Sequence, residues 1–497
     1  MFIRNSLWNV TGSALPAIAA LASVPLLISA LGVEGFGIVT LVNSMIGYFG
    51  VLDINLSAGA IKYLAESHAA GEQRRFAETF WFGALFYGGL GLLGGLAIFM
   101  TGGWLVNGIF NLPEQCHATT VLALQVGAAG FALNQMQSYL LVVPQSLQRY
   151  DRSAQSEAFF GVLVNVASVV AALSDGSVAA VIAARVGVSL LNVIYLAYLI
   201  RSLKLDICLA WPGTDVRRAL TRFSAYAYLS KIATTLHQHG DKLIVGALAG
   251  PVALAFYTVP ATLASRMLGL TYRLSSVIYP MTSALAASKR IHELRPIYLG
   301  TMRYVTYINL VALGVIVLAG DEFLRHWVGE SFVAQGYPVL VLMTVALLLD
   351  SLTNIPSLVN DALGHPEVSG RFALVRGILG ISLVYVGAHT AGIVGAAIGH
   401  LLTAILMSAS FLLFVHERTV PISFNDTLVQ GLGKSMSVGV IVFGVLFPLK
   451  WLIPQGLLGT ALIVSAALLT LALAGFAFIV SGDERAALLA VARRMRQ

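Results

Sequence analysis

The sequence predicts an all-α polytopic membrane protein of about 14 transmembrane helices, and three observations carry that expectation. Apolar runs follow one another along nearly the whole chain, each long enough for a helix of roughly 20 residues to cross a bilayer, and only short hydrophilic hinges separate them. Of the 497 residues 58% are hydrophobic and 11% charged, with a mean hydropathy of +0.83. A soluble core cannot hide that much apolar surface, so lipid must be the solvent for much of it. Almost every Lys and Arg, finally, lies in alternate hinges.

The first half carries spans near 7–31, 37–67, 79–102, 118–146, 156–174 and 178–200. The stretch from Leu7 to Leu31 is too long for a signal-peptide core and lacks a small-residue cleavage site, so it reads as a retained first span. A hinge from Arg201 to Arg222 follows, in which Trp211-Pro212-Gly213-Thr214-Asp215 spells a turn and a helix start. Spans near 223–248, 253–285, 299–320, 337–362, 372–388, 391–415, 428–450 and 457–480 make up the second half. The expected organisation is a six-helix lobe over 1–200, a linker over 201–222, a second six-helix lobe over 223–416, two further helices over 417–480 and a tail over 481–497. That tail opens on Ser481 and alternates Leu, Val and Arg, which suits a short helix lying in the interface.

One set of hinges holds Arg74, Arg75, Arg149, Arg152, Arg201, Arg217, Arg218, Lys289, Arg290, Arg371 and Lys434; the opposite set holds only Arg325 and Lys450. This asymmetry places both termini in the cytoplasm. The formal net charge of +7 is spread through the hinges without clustered aromatics, so retention against an anionic leaflet explains it and a nucleic-acid partner does not. The two cysteines, Cys116 and Cys208, fall on opposite sides, which excludes a disulfide scaffold and a Cys-rich metal site.

Laying the first two spans on the seventh and eighth, at an offset of about 218, matches Leu31-Gly32-Val33-Glu34-Gly35-Phe36-Gly37 to Ala249-Gly250-Pro251-Val252-Ala253-Leu254-Ala255. Within two residues the same offset places Val143–Asp151 on Val359–Glu367. Six spans separate the copies, so both keep one orientation, as parallel repeats do.

The phrases Tyr48-Phe49-Gly50-Val51-Leu52-Asp53 with Ile61-Lys62-Tyr63-Leu64-Ala65-Glu66, and Asp241-Lys242-Leu243-Ile244-Val245-Gly246-Ala247-Leu248-Ala249-Gly250 running into Ala255-Phe256-Tyr257, resemble those of Wzx-type polysaccharide flippases. That family belongs to the multidrug, oligosaccharidyl-lipid and polysaccharide exporter superfamily. The resemblance implies two six-helix lobes around a central cavity, with two added helices. It also implies residence in a bacterial inner membrane and movement of an undecaprenyl-diphosphate-linked oligosaccharide from the cytoplasmic to the periplasmic leaflet. Membrane lipids and the polysaccharide polymerase and chain-length machinery are the implied partners; no cofactor is implied.

A charge at mid-bilayer costs about 2.5–3.5 kcal/mol on insertion scales, so such residues face a cavity or a partner. Arg266 and Arg273 are two turns apart and share a helix face; with Lys231 they would form a cationic stripe suited to a diphosphate. Structural ion pairing is the competing reading. Asp53, Asp241 and Asp350 are the acids at comparable depth, suited to ion coupling or to an ion pair in the cavity. Lys62 and Glu66 read as a helix-surface pair. Asn134, Gln135 and Gln137 suit either sugar hydroxyls or polar helix packing. Pro16 and Pro25 suggest a hinge in the first span.

Gly89-Leu90-Gly91-Leu92-Leu93-Gly94 fits a dinucleotide-binding pattern but sits inside a span with no preceding strand, so helix packing is the expected role. Gly431-Leu432-Gly433-Lys434-Ser435 lacks the first glycine of a phosphate-binding loop, Leu428 standing there. No region is large enough for a soluble ATP-binding domain. A cation-coupled drug exporter of the same superfamily is the alternative, for which acidic and aromatic cavity groups are expected. A polysaccharide polymerase fits less well, because the outer loops are short and carry no paired carboxylates.

Overall fold

The computed structural model describes residues 2–53, 56–205, 207–275, 278–450, 456–480, 482 and 485; the side chains of several helical residues, Lys231 and Arg273 among them, lie outside the description. Nearly all of the expected interfacial tail also lies outside it. Two compact units, Met1–Thr258 and Val259–Gln497, divide the chain.

The first unit holds α1 (Phe2–Tyr48), α2 (Leu56–Ala69), α3 (Gln73–Gly108), α4 (Glu114–Leu140), α5 (Val142–Ser146), α6 (Tyr150–Asp175), α7 (Val178–Ser202) and the start of α8 (Thr214–Ser275). The second continues α8 and adds α9 (Ile278–Ala287), α10 (Leu294–Val328), α11 (Ser331–Ser351), α12 (Asn354–Ala362) and α13 (Pro366–Arg418). It closes with α14 (Phe424–Asp426), a π-helical stretch over Thr427–Gly433, α15 (Lys434–Leu449) and α16 (Leu457–Ala474). No strand forms among the described residues.

Eleven helices among the described residues are long and apolar enough to cross a membrane. The count falls below the fourteen expected because three tight turns are absorbed into continuous helices, at Gly32 in α1, Gly250 in α8 and Ala391–Gly392 in α13. At Gly250 the chain doubles back. Tyr257 donates to Asp241 at 3.0 Å, whereas sixteen residues of straight helix would hold them about 24 Å apart. At Ala391–Gly392 the two arms of α13 meet so closely that a Cβ on Gly387 would overlap the Gly395 carbonyl oxygen, and one on Gly399 the Leu383 carbonyl.

These turns reveal the duplication as backbone geometry. Gly32 (φ 72°, ψ 171°) and Gly250 (φ 80°, ψ −179°) are 218 positions apart and share a conformation essentially open only to glycine. Three further left-handed pairs keep the register: Gly71 with Lys289 at a separation of 218, then Gln148 with Gly364 and Gly176 with Gly392, both at 216. Fold shape has outlasted sequence identity, since Gln148 and Lys289 hold positive φ without being glycine.

In the first unit α3 crosses α4 on a glycine seam. Gly91 and Gly95 face the α4 backbone at Ala132 and Ala128, and Gly83 lies under the Tyr139 ring. The dinucleotide-like pattern is therefore part of a packing surface inside α3. Tyr87 and Tyr139 are fully buried and stack with ring centroids 5.4 Å apart, and Tyr139 donates to the Phe80 carbonyl at 2.7 Å. The first arm of α1 keeps helical φ/ψ through Pro16 and Pro25, and Gly32 is its non-helical residue. Gly32 makes the tight turn into the second arm, and the Pro16 ring seats on Gly161 of α6.

In the second unit the added helices dock on α10. Phe443 covers Gly314, Ser435 donates to the Arg303 carbonyl at 2.8 Å, and Tyr307 donates to the Leu471 carbonyl at 2.6 Å. His416, at the end of α13, lies 2.8 Å from the Tyr298 hydroxyl and 2.9 Å from that of Thr427, at the start of the π-helical stretch. Arg325 pairs with Glu322 and Glu330, and Lys450 with Asp321 at 2.8 Å. Both cations that break the charge asymmetry are thus neutralised by acids.

The α13 hairpin supplies a test. Gly387→Leu should cost at least about 2 kcal/mol through overpacking, read as a lower thermal midpoint in detergent, whereas Gly370→Leu, facing open space on the same helix, should leave the midpoint unchanged.

Candidate functional site

Polar side chains from four helices of the first unit converge on a cavity of about 320 Å³. Each helix contributes one face. On α7, Arg185, Ser189 and Asn192 recur at intervals of four and three; on α6, Glu157, Phe160, Gly161 and Val164 keep the same rhythm; on α4, Asn134 and Gln137 are three apart; Asn43 comes from α1. Such a face is polar inside an otherwise apolar span, the pattern of a helix that looks into an aqueous or ligand-filled recess.

Hydrogen bonds between neighbours orient part of this set. Ser189 donates to Asn134 at 3.2 Å, Ser156 donates to Asn192 at 2.9 Å, and the Arg185 Nε donates to Ser168 at 2.9 Å. The guanidinium keeps its two terminal nitrogens for the cavity and forms no ion pair among the described residues. Gln137, which also lines the cavity, shows no partner for its amide among the described residues. The arrangement can therefore offer several donors and acceptors to a ligand without first breaking an internal contact.

A smaller cavity of about 140 Å³ lies in the second unit, lined by Thr353, Ser357, Ser369, Phe372 and Arg376 among others. Arg376 donates to Asp350 Oδ2, and both side chains are mostly buried; the other oxygen, Oδ1, has no hydrogen-bond partner.

The residues singled out from sequence have varied surroundings. Asp53 is buried at the end of the short 3₁₀ turn Phe49–Leu52 and accepts from the Tyr87 hydroxyl at 3.0 Å. Asp241, also buried, accepts from Tyr257 and from the Lys242 backbone N–H at 2.8 Å. Asp350 is the acid of an ion pair. Arg266 is exposed on α8, and the Lys231 and Arg273 side chains lie outside the description. Lys62 and Glu66 form the expected exposed pair at 3.9 Å. Arg185 was visible in the sequence as a lone cation inside a span. The recurrence of Ser189 and Asn192 on its face was the signal that would have raised it above the others.

Polar recesses held inside long apolar helices, in a chain folded twice on one plan, define a polytopic membrane protein of the duplicated helical class. The chain belongs to the Polysaccharide biosynthesis protein family, whose profile matches residues 27–335. A protein of Shigella flexneri described as a "Putative O-antigen transporter" is 25% identical over 437 residues, covering 85% of this chain and 99% of the relative. Among solved structures, the lipid II flippase MurJ in an inward closed conformation aligns with a TM-score of 0.72 at 11% identity, over 95% of this chain and 98% of its own. An inward-facing multidrug resistance MATE family transporter of the MOP superfamily aligns at 0.66 and 16% identity, over 82% and 98%. These structural likenesses establish the fold.

The ion pair of the second unit is testable by a double-mutant cycle. Arg376→Leu alone should destabilise by about 3 kcal/mol, because it strands a buried carboxylate. Combining it with Asp350→Leu should restore much of the loss, measured as thermal midpoints of the purified protein.

Proposed function

We propose that this protein is a flippase that carries an undecaprenyl-diphosphate-linked oligosaccharide from the cytoplasmic to the periplasmic leaflet of a bacterial inner membrane. The observation that carries the reading is the amide-lined cavity around Arg185, enclosed by apolar helices. Membership of a polysaccharide biosynthesis family supports it, and so do relatives described as an O-antigen transporter and a lipid II flippase. A glycan headgroup crossing hydrocarbon needs hydrogen-bonding groups in place of water, and a recess of this kind supplies them. The protein acts as a transporter and not as an enzyme, in keeping with relatives described as a transporter and a flippase.

In this reading the lobes are 1–200 and 223–416, both termini face the cytoplasm, and Arg266 and Arg273, two turns apart on α8, meet the diphosphate, with Lys231 as a further cation for it. The asymmetry of the hinge cations, with only Arg325 and Lys450 in the opposite set, supports the orientation. Asp53, Asp241 and Asp350 are the groups proposed to couple movement to an ion gradient. Polymerase and chain-length proteins are the proposed consumers of the flipped substrate.

The deciding measurement is the sidedness of lipid-linked oligosaccharide in inner membranes with and without this gene, in cells lacking other flippases. Accumulation on the cytoplasmic side only in its absence is the expected result; unchanged sidedness would move the reading to small-molecule export. Orientation is tested separately in a background lacking Cys116 and Cys208. Glu34→Cys should react with an impermeant reagent added outside intact cells and Glu72→Cys should not, and reversed labelling would overturn the topology.

A further inference from the structure

The two cavities share three lining positions through the repeat. At the separation of 216 fixed by Gln148 with Gly364 and Gly176 with Gly392, the cavity residues Gln137, Glu157 and Phe160 fall on Thr353, Ala373 and Arg376, which line the second cavity. Asn134 falls on Asp350. The ion pair that occupies the second recess therefore stands where the first has Asn134 and Phe160. The volumes follow, about 140 Å³ in the second against about 320 Å³ in the first.

The chemistry of the first cavity distinguishes the part of a lipid-linked glycan that would enter it. The described lining holds one formal positive charge, on Arg185, and one negative, on Glu157, against five amide or hydroxyl side chains, Asn43, Asn134, Gln137, Ser189 and Asn192, so neutral hydrogen-bonding groups outnumber charges there. Amides and hydroxyls both donate and accept, as vicinal sugar hydroxyls do. Phe160, with Val164 and Val188, adds an apolar wall for the C–H face of a ring. A volume of about 320 Å³ lies at the low end of small-molecule sites, roughly 300–1,000 Å³, and suits a mono- or disaccharide.

We propose that the first-unit cavity is a subsite for an uncharged sugar unit, formed by Asn134, Gln137, Glu157, Arg185 and Asn192 with Phe160 as its apolar wall. The proposal rests on the flippase reading for its biological setting and on the cavity alone for its chemistry. Hydroxyl-matched donors and acceptors give such a site selectivity, because a sugar with the wrong configuration leaves one of them buried without a partner.

The experiment uses the full-length protein in nanodiscs and saturation-transfer NMR, with a panel of neutral methyl pyranosides and disaccharide glycosides differing in hydroxyl configuration, and with inorganic pyrophosphate as the anionic probe. At least one neutral glycoside should bind and pyrophosphate should not compete with it. Gln137→Leu, which removes an amide with no partner among the described residues, should weaken binding at least about fivefold, the scale of one lost hydrogen bond. The double variant Asn134→Asp with Phe160→Arg, which builds the second copy's ion pair into the first, should abolish binding. Its circular dichroism and elution profile report whether it is folded, and if it is not, Gln137→Leu carries the test. Failure of the whole panel, competition by pyrophosphate, or unchanged affinity in Gln137→Leu would each overturn the proposal. Should the wild type alter glycolipid sidedness and both variants flip at the wild-type rate, the subsite falls and the proposed function stands. Should the wild type leave sidedness unchanged, the proposed function falls while glycoside binding still decides the subsite.

Discussion

Hydrocarbon offers no hydrogen bonds to a peptide group, and the architecture follows from that constraint. Each span must satisfy its own backbone as a helix, and each reversal must be made in very few residues or be covered by protein. Gly32 and Gly250 reverse the chain with a backbone geometry that a side chain would forbid, and Ala391–Gly392 does so inside α13. Close helix approach obeys the same economy. Without a hydrophobic force between helices in lipid, packing itself must hold them together, and Gly91, Gly95, Gly387 and Gly395 let backbones come near enough for dispersion to do so.

Against this apolar background the polar groups divide by what they touch. Asp53 and Asp241 each accept from a buried tyrosine hydroxyl. Asp350 instead takes Arg376, and that pair fills space. Arg185 does neither. Its Nε is held by Ser168 while the rest of the guanidinium remains in the cavity, so the residue is fixed in direction and open in chemistry, the condition of a preorganised binding group.

Spans, turns and the duplication were legible in the sequence because each is a local property. Hydropathy runs, the Trp211-Pro212-Gly213 turn before α8, and the glycines of the two matched turns need no knowledge of the neighbours. The number of continuous helices was less legible, since a two-residue turn and an unbroken helix differ by little more than one glycine. The candidate site was hardest to read. Helical spacing tells which residues share a face, as with Arg266 and Arg273, but not what that face looks at; Arg266 is exposed. A cavity formed by α1, α4, α6 and α7 depends on four rotations about helix axes that no single segment encodes. Asn134 and Gln137 stood out because polar residues are rare in spans, whereas Asn43 and Glu157 acquired meaning only beside the others.

The π-helical stretch at Thr427–Gly433 gives the added helices an unequal tolerance of insertions and deletions. A π-turn is in effect an α-helix carrying one extra residue, and each residue of α-helix turns the chain by about 100°. Excising a single residue from the stretch would relax it to α-geometry with Ser435, Gly439 and Phe443 kept in phase, whereas inserting a further one would swing them about 100° off the surface of α10 that they now meet. Hydropathy would be unchanged and the segment would still enter the membrane, yet its docking face would point into lipid. Tolerance to length changes in this part of the chain is thus set by angular phase and not by span length.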